Sequence, residues 1–183
     1  MDNTKTPACQ LATMIKLAAV HHEGQFDKGG RPYVLHVLKV MHYLKEKGDD
    51  ELSAIAVGHD LIEDTMISGV DLQENGISVR VITGIMALTK TPGQPHQEYL
   101  LGVLKNFDAC RVKLADLRHN TDIRRLKGIG EKDLKRIKKY HTMHMQITDM
   151  IKWYESHHHD NYKSSADYFI ELDNEAWRVT YAY

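Results

Sequence analysis

Only four prolines, Pro7, Pro32, Pro92 and Pro95, punctuate the 183 residues, and the stretches between them show no strand-like alternation. A period near 3.6 takes its place. Leu11, Met14, Ile15, Ala18 and Ala19 recur at i, i+3, i+4 spacing, which predicts an amphipathic helix. Residues 25–31 hold a Gly-Gly breaker and read as a loop. Pro32 suits the first turn of a helix running to about Lys47, where Gly48 stops it. Asp49 or Asp50 caps a helix to about Asp64, and 65–75 is a loop with at most one helical turn. Further helices are expected over Ser78–Lys90, about Pro95–Asn106, about Ala109–Leu126 and Glu131 to about Glu155, with one more in the tail, Ser164–Tyr183. The fold class is therefore all-α, a multi-helix bundle, with no repeat and no linker to divide residues 1–183.

Hydrophobic residues make up 42% and charged residues 27%, enough to bury a core and too apolar for a disordered chain. No run of 18 apolar residues is present, so no membrane span is expected, and the N-terminus lacks the layout of a signal peptide. Cys9 and Cys110 lie far apart and fit no CxxC pattern, so two thiols in a cytoplasmic setting are expected. The net charge of −1 gives no basic excess, which disfavours nucleic acid as a partner. A homo-oligomer is left open.

That small net charge hides a local asymmetry. From Gly48 to Val79 there are eight acidic residues and no Lys or Arg; from Lys105 to Lys139 there are twelve basic residues against five acidic. Two solvated helix faces would explain this; so would a cation site facing an anion-binding wall. The chain also carries twelve histidines, an excess that permits metal chemistry without establishing it.

Three segments decide between the readings. In His59-Asp60-Leu61-Ile62-Glu63-Asp64, four ionisable groups crowd one and a half turns. Glu63 and Asp64 share the face of Asp60, and a bound cation would remove their mutual repulsion. Asp116 sits among Val112, Leu114, Ala115 and Leu117, where a lone carboxylate needs a partner. His119 and Asn120 follow it at i+3 and i+4. His36 completes a set of two histidines and two aspartates, His36, His59, Asp60 and Asp116. Nitrogen and carboxylate donors suit Mn²⁺, with Fe²⁺, Co²⁺ and Zn²⁺ as alternatives.

These segments, HxGQ with PYxxH (22–36), HDLIEDT (59–65) and KLADxxHN (113–120), resemble the HD-domain phosphohydrolases. More narrowly, they resemble the RelA/SpoT hydrolase domain and the small alarmone hydrolases, metazoan SpoT-like proteins among them. The resemblance covers about residues 8–126; residues 127–183 form an extension. It implies an all-α fold holding Mn²⁺ on His36, His59, Asp60 and Asp116, with Glu63 and Asp64 as the catalytic acidic pair. Lys113 and Asn120 match positions near the substrate. The implied reaction is hydrolysis of the 3′-pyrophosphate of (p)ppGpp, a small anionic nucleotide.

The chain departs from the family at several points. Asp27, followed by Lys28, stands where the family carries arginine. Leu117-Arg118 inverts its Arg-Leu pair, and Thr121, Asp122 and Ile123 replace Met, Arg and Thr. These changes spare the metal ligands and bear on phosphate and base recognition, because Asp27 would repel a phosphate. They keep two other readings in play: a phosphohydrolase of another nucleotide (NADPH 2′-phosphate, (p)ppApp or a dNTP), and a non-catalytic nucleotide-binding module. The substrate side is assigned to Lys28, Lys113, Asn120 and Arg124, the last just past the KLADxxHN segment. The run Lys132–Lys139, the pair His141 and His144 and the tract His157–His159 read as solvated surface, and the methionines as core filler.

Overall fold

The computed structural model describes residues 3–44 and 48–157. The tail helix expected over 164–183, the segment 45–47, and His158 and His159 lie outside them. Among the described residues the chain forms nine α-helices: α1 (Pro7–His21), α2 (Val34–Tyr43), α3 (Asp50–Gly58), α4 (Leu61–Asp64), α5 (Gly69–Glu74), α6 (Val79–Leu88), α7 (His96–Leu104), α8 (Phe107–Asn120) and α9 (Glu131–His157). A 3₁₀ turn spans Ile123–Arg125 between the last two. No described helix is long and apolar enough to cross a membrane.

Helix α3 is the axis. Leu52 and every residue from Ala54 to Gly58 are buried, and α1, α2, α6 and α8 pack around it. A helix whose last five residues are buried on every side sits inside a bundle. Asp49 starts it, its carboxylate accepting the Leu52 N–H. Gly58 lets it fit: a Cβ there would meet the Ile85 Cδ1 and the Met14 Sδ at 2.7 Å.

The structure corrects several sequence expectations. One helix from Asp49 to Asp64 is in fact two, α3 and α4, separated at His59 and Asp60. The segment 65–75 holds a true helix, α5, begun by a capping box in which Ser68 and Asp71 bond reciprocally. Helix α2 starts at Val34 rather than Pro32. Helix α8 stops at Asn120, six residues before Leu126, because Asp122 turns extended and its carboxylate accepts the Arg124 N–H. Of the methionines, Met14, Met143 and Met150 are core, whereas Met86 and Met145 are about half exposed.

Candidate active site

The α3–α4 break brings adjacent residues to one point. His59 is buried, and its Nδ1–H donates to the Ala56 carbonyl at 2.7 Å, which leaves Nε2 bare. That Nε2 lies 2.9 Å from Asp60 Oδ2 and 3.8 Å from Asp116 Oδ1. From α2, His36 Nε2 stands 3.5 Å from Asp60 Oδ2 and 3.2 Å from Asp116 Oδ1. The two histidines and Asp116 are each less than 5% exposed. Three donor atoms, from His36, His59 and Asp60, lie within 4.8 Å of one another, and Asp116 from α8 closes the set.

Two features say that the pocket suits a divalent cation. The buried His59 Nε2 makes no hydrogen bond although two carboxylates lie within 3.8 Å of it. The electrostatics are those of an anionic hole. Burial alone would lower the His59 pKa, yet Asp60 and Asp116 outweigh it and raise it. For His36, too, burial lowers and the two aspartates raise, with a net rise. The negative charge that raises both imidazoles is charge a cation can take up, and imidazole with carboxylate is a proper donor set for Mn²⁺, Fe²⁺, Co²⁺ or Zn²⁺.

The neighbours orient these groups. Tyr33 donates its hydroxyl to Asp60 Oδ2 at 2.6 Å. Lys113 Nζ pairs with Asp116 Oδ2 at 3.0 Å, and Asn120 donates to Asp116 Oδ1 at 2.5 Å. Lys113 and Asn120, two of the four residues assigned to the substrate side, therefore also brace a carboxylate. The His22-to-Gln25 segment reaches the next turn: Gln25 accepts from His22 Nδ1 at 2.8 Å and donates to the Asp64 carbonyl at 3.0 Å.

The cluster floors a cavity of about 410 Å³. Glu63 and Asp64 line it from α4, Glu63 accepting the Lys90 N–H at 2.8 Å. Enclosure by the walls, then the Asp60 carboxylate, raises both above the ordinary carboxylate range, although the Lys90 N–H works against this at Glu63. Lys28, Lys90, Lys113, Arg136 and Lys139 supply a cationic wall, with Tyr99 and Tyr140 as aromatic faces. The basic run Lys132–Lys139 is thus not wholly solvated surface. The spacing of Arg136, Lys139, Tyr140 and Met143 was a usable signal, since i, i+3, i+4, i+7 puts all four on one helical face.

Arg124 is the sequence-assigned residue that falls outside. Its side chain is 86% exposed, pairs with Asp122 at 2.8 Å and is not part of the cavity wall; Arg125 is. Arg125 in turn explains Asp27. Asp27 Oδ2 receives the Arg125 guanidinium at 2.8 Å, and Oδ1 accepts the Gly29 and Arg31 N–H groups at 2.8 and 2.9 Å. Although burial would raise it, these bonds hold its pKa below the ordinary value. The carboxylate expected to repel phosphate is neutralised and ties the loop instead. Arg118, of the inverted pair, lies over the Tyr43 ring at 4.2 Å, away from the cavity.

An all-α bundle with paired histidines and aspartates at the junction of α2, α3, α4 and α8 defines an HD-type domain. No protein-family model matches the sequence. Sequence relatives do. A protein of Synechocystis sp. named a probable guanosine-3′,5′-bis(diphosphate) 3′-pyrophosphohydrolase is 30% identical over 148 residues, 74% of this chain and 19% of the relative. The Haemophilus influenzae protein named for the same activity is 33% identical over 110 residues, 54% of this chain and 16% of its own. A Myxococcus xanthus relative named GTP pyrophosphokinase is 30% identical over 142 residues, 68% of this chain and 18% of the relative. The chain thus spans about a fifth of the length of the curated relatives it matches. A solved structure of a metazoan SpoT ortholog, described as hydrolysing ppGpp, superposes with a TM-score of 0.64. The match covers 93% of this chain and 95% of the other at 22% identity, and it places the two in one fold. The chain is a relative of the SpoT/RelA-type proteins, with the all-α fold of their HD domain.

Proposed function

We propose that this protein is a metal-dependent phosphohydrolase that removes the 3′-pyrophosphate of (p)ppGpp. One observation carries the reading: a His–His–Asp–Asp cluster, with a buried imidazole nitrogen that has no partner, opens through His36, Asp60 and Asp116 onto a cavity whose walls also carry a carboxylate pair, lysines and arginines. Hydrolysis fits that arrangement better than the pyrophosphokinase activity named for the Myxococcus relative, because a metal-holding cluster beside carboxylates can activate a water and handle its protons.

His36, His59, Asp60 and Asp116 would hold the metal, Mn²⁺ in this proposal. When bound, a divalent ion polarises a phosphoryl oxygen and acidifies water. The chain's own groups do the rest. Glu63 and Asp64, with raised proton affinities, orient the water and accept its proton. Water adds to the phosphorus bonded to the ribose 3′ oxygen, the P–O3′ bond breaks, and the departing oxygen takes a proton. The products are GDP or GTP and pyrophosphate. Lys28, Lys90, Lys113, Arg136 and Lys139 balance the phosphate charge, Asn120 holds Asp116, and Tyr99 or Tyr140 offers a face to the base.

The test is a panel assay of the purified protein with Mn²⁺ against ppGpp, pppGpp, ppApp, NADPH and dNTPs, and against GTP with ATP. Pyrophosphate from ppGpp and pppGpp is the expected result. Orthophosphate from NADPH with none of the alarmone consumed would overturn the substrate. Inertness toward the whole panel would leave a binding module.

A further inference from the structure

His36 meets an unusual partner. Its Nδ1 lies 2.6 Å from the Nδ1 of His119, and the two rings lie edge to edge and nearly coplanar, 15° apart with centroids 4.9 Å apart. Both imidazoles are buried. Two ring nitrogens at that distance share one hydrogen, so one donates and the other accepts. His36 Nε2 faces Asp60 and Asp116, and it can ligate a cation there only as a bare nitrogen. The hydrogen of His36 then sits on Nδ1, and His119 must present Nδ1 as the acceptor.

We propose that His119 is a positioning residue for the metal site, accepting the His36 Nδ1–H and so fixing the tautomer and plane in which His36 offers Nε2. This rests on the metal reading above and names a residue that reading does not use. The comparison is internal. His59 has its Nδ1–H taken by the Ala56 carbonyl, part of its own helix and in place whenever α3 forms. His36 depends on a side chain 83 residues away in sequence.

His119 is held in turn. Arg125 Nη1 donates to the His119 carbonyl at 2.7 Å, and its Nη2 grips Asp27 Oδ2 at 2.8 Å. The glycine loop presses onto the same residue, where a Cβ on Gly29 would meet the Arg125 carbonyl at 2.6 Å. The edge of Tyr43 contacts His119 from α2. Asp27 and Arg125 thereby anchor the end of α8 against the loop that leads into α2. The departure at Asp27 gains a role as the anchor of a ligand's partner.

The experiment reads metal affinity with no nucleotide present. Mn²⁺ binding to the full chain is followed by the EPR signal of the free ion for wild type, His119→Phe and His119→Asn. Phenylalanine keeps an aromatic ring in the space and offers no acceptor; asparagine loses the ring and places an amide oxygen near the Nδ1 position. The expected result is about 10–100-fold weaker Mn²⁺ binding for His119→Phe, with His119→Asn restoring most of the loss. Equal binding by wild type and His119→Phe overturns the proposal, because a ring without an acceptor would then suffice, as does an asparagine variant as weak as phenylalanine, because an acceptor would then fail to restore the site. A second reading needs no variant: ring ¹⁵N shifts of the Zn²⁺-loaded wild type should show hydrogen on His36 Nδ1 and on His119 Nε2. Hydrogen on His36 Nε2 overturns the assignment even if both variants fail to fold. Normal Mn²⁺ binding with no turnover of ppGpp would sink the proposed substrate and leave this role standing.

Discussion

The acidic segment 48–79 feeds two clusters with opposite endings. At one end of α3, Asp49 and Glu51 converge with Asp108 on a single guanidinium. Arg80 reaches Asp108 at 2.8 Å, Asp49 at 2.9 Å and Glu51 at 3.1 Å, and Arg111 adds a contact to Asp108 at 3.5 Å. At the other end, Asp60 faces two imidazoles and a tyrosine hydroxyl, and Asp116 pairs with Lys113 and accepts from Asn120. The first cluster carries its own cation and is finished when the chain folds. The second has Lys113 on Asp116 alone, and it keeps a buried imidazole nitrogen without a hydrogen-bond partner. Acidic residues in a run say that cations are needed; only the fold says which the chain supplies.

The sharpest way to break this contrast is to remove a carboxylate from the unfinished cluster. Asp60→Ala should lose bound Mn²⁺, read as metal per chain by mass spectrometry, and turnover should fall by roughly 10³-fold or more, the several kcal/mol a metal contributes to phosphoryl chemistry. The melting temperature of the metal-free protein should fall modestly, since Tyr33 loses its acceptor and the two imidazoles lose a carboxylate neighbour. Full metal content in the variant would end the four-ligand reading. Metal linkage gives the next effect. Mn²⁺ at 100 times its dissociation constant should stabilise wild type by about 2.7 kcal/mol, and Asp60→Ala not at all. An equal shift in both would place the ion elsewhere.

The same contrast sets what the sequence could reveal. Most helices are legible because their caps are local: Ser78 before α6, Asn106 before α8 and Asp49 before α3 each accept a first-turn N–H. The histidines and aspartates of the cavity are legible as residue types at a spacing. Their partners are not, because His36 with His119 and Asp27 with Arg125 join positions 83 and 98 apart. The α3–α4 break is hidden for a related reason. His59 and Asp60 keep right-handed backbone angles, so no proline or turn residue announces it. Helix α9 hides its cavity face because Arg136 and Lys139 sit in a run that reads as solvated when each residue is taken singly.

The finished cluster should answer to stability and not to metal. Arg80→Met leaves Asp49, Glu51 and Asp108 facing one another. Arg80 is partly exposed, so solvent screens the loss, and about 1–2 kcal/mol is expected in urea melts. Mn²⁺ affinity should stay that of wild type. A variant that melts normally but loses metal would couple the two clusters and undo the distinction.

The smallest effect concerns acid. Against the upward push of its burial, the Arg80 hydrogen bond and the Leu52 N–H hold the Asp49 pKa below its ordinary value. A carboxylate with a lowered folded pKa adds stability that is fully present above its unfolded pKa and is lost as pH falls through the folded value. Wild type should therefore lose stability steadily from the ordinary carboxylate range, about pH 4, downward. Arg80→Met should lose less over the same interval, because much of that contribution is already missing. Urea melts of the metal-free proteins across this range measure the two slopes. Parallel slopes would mean that Asp49 titrates no differently with Arg80 than without it, and that the guanidinium does not complete this cluster as a cation would complete the other.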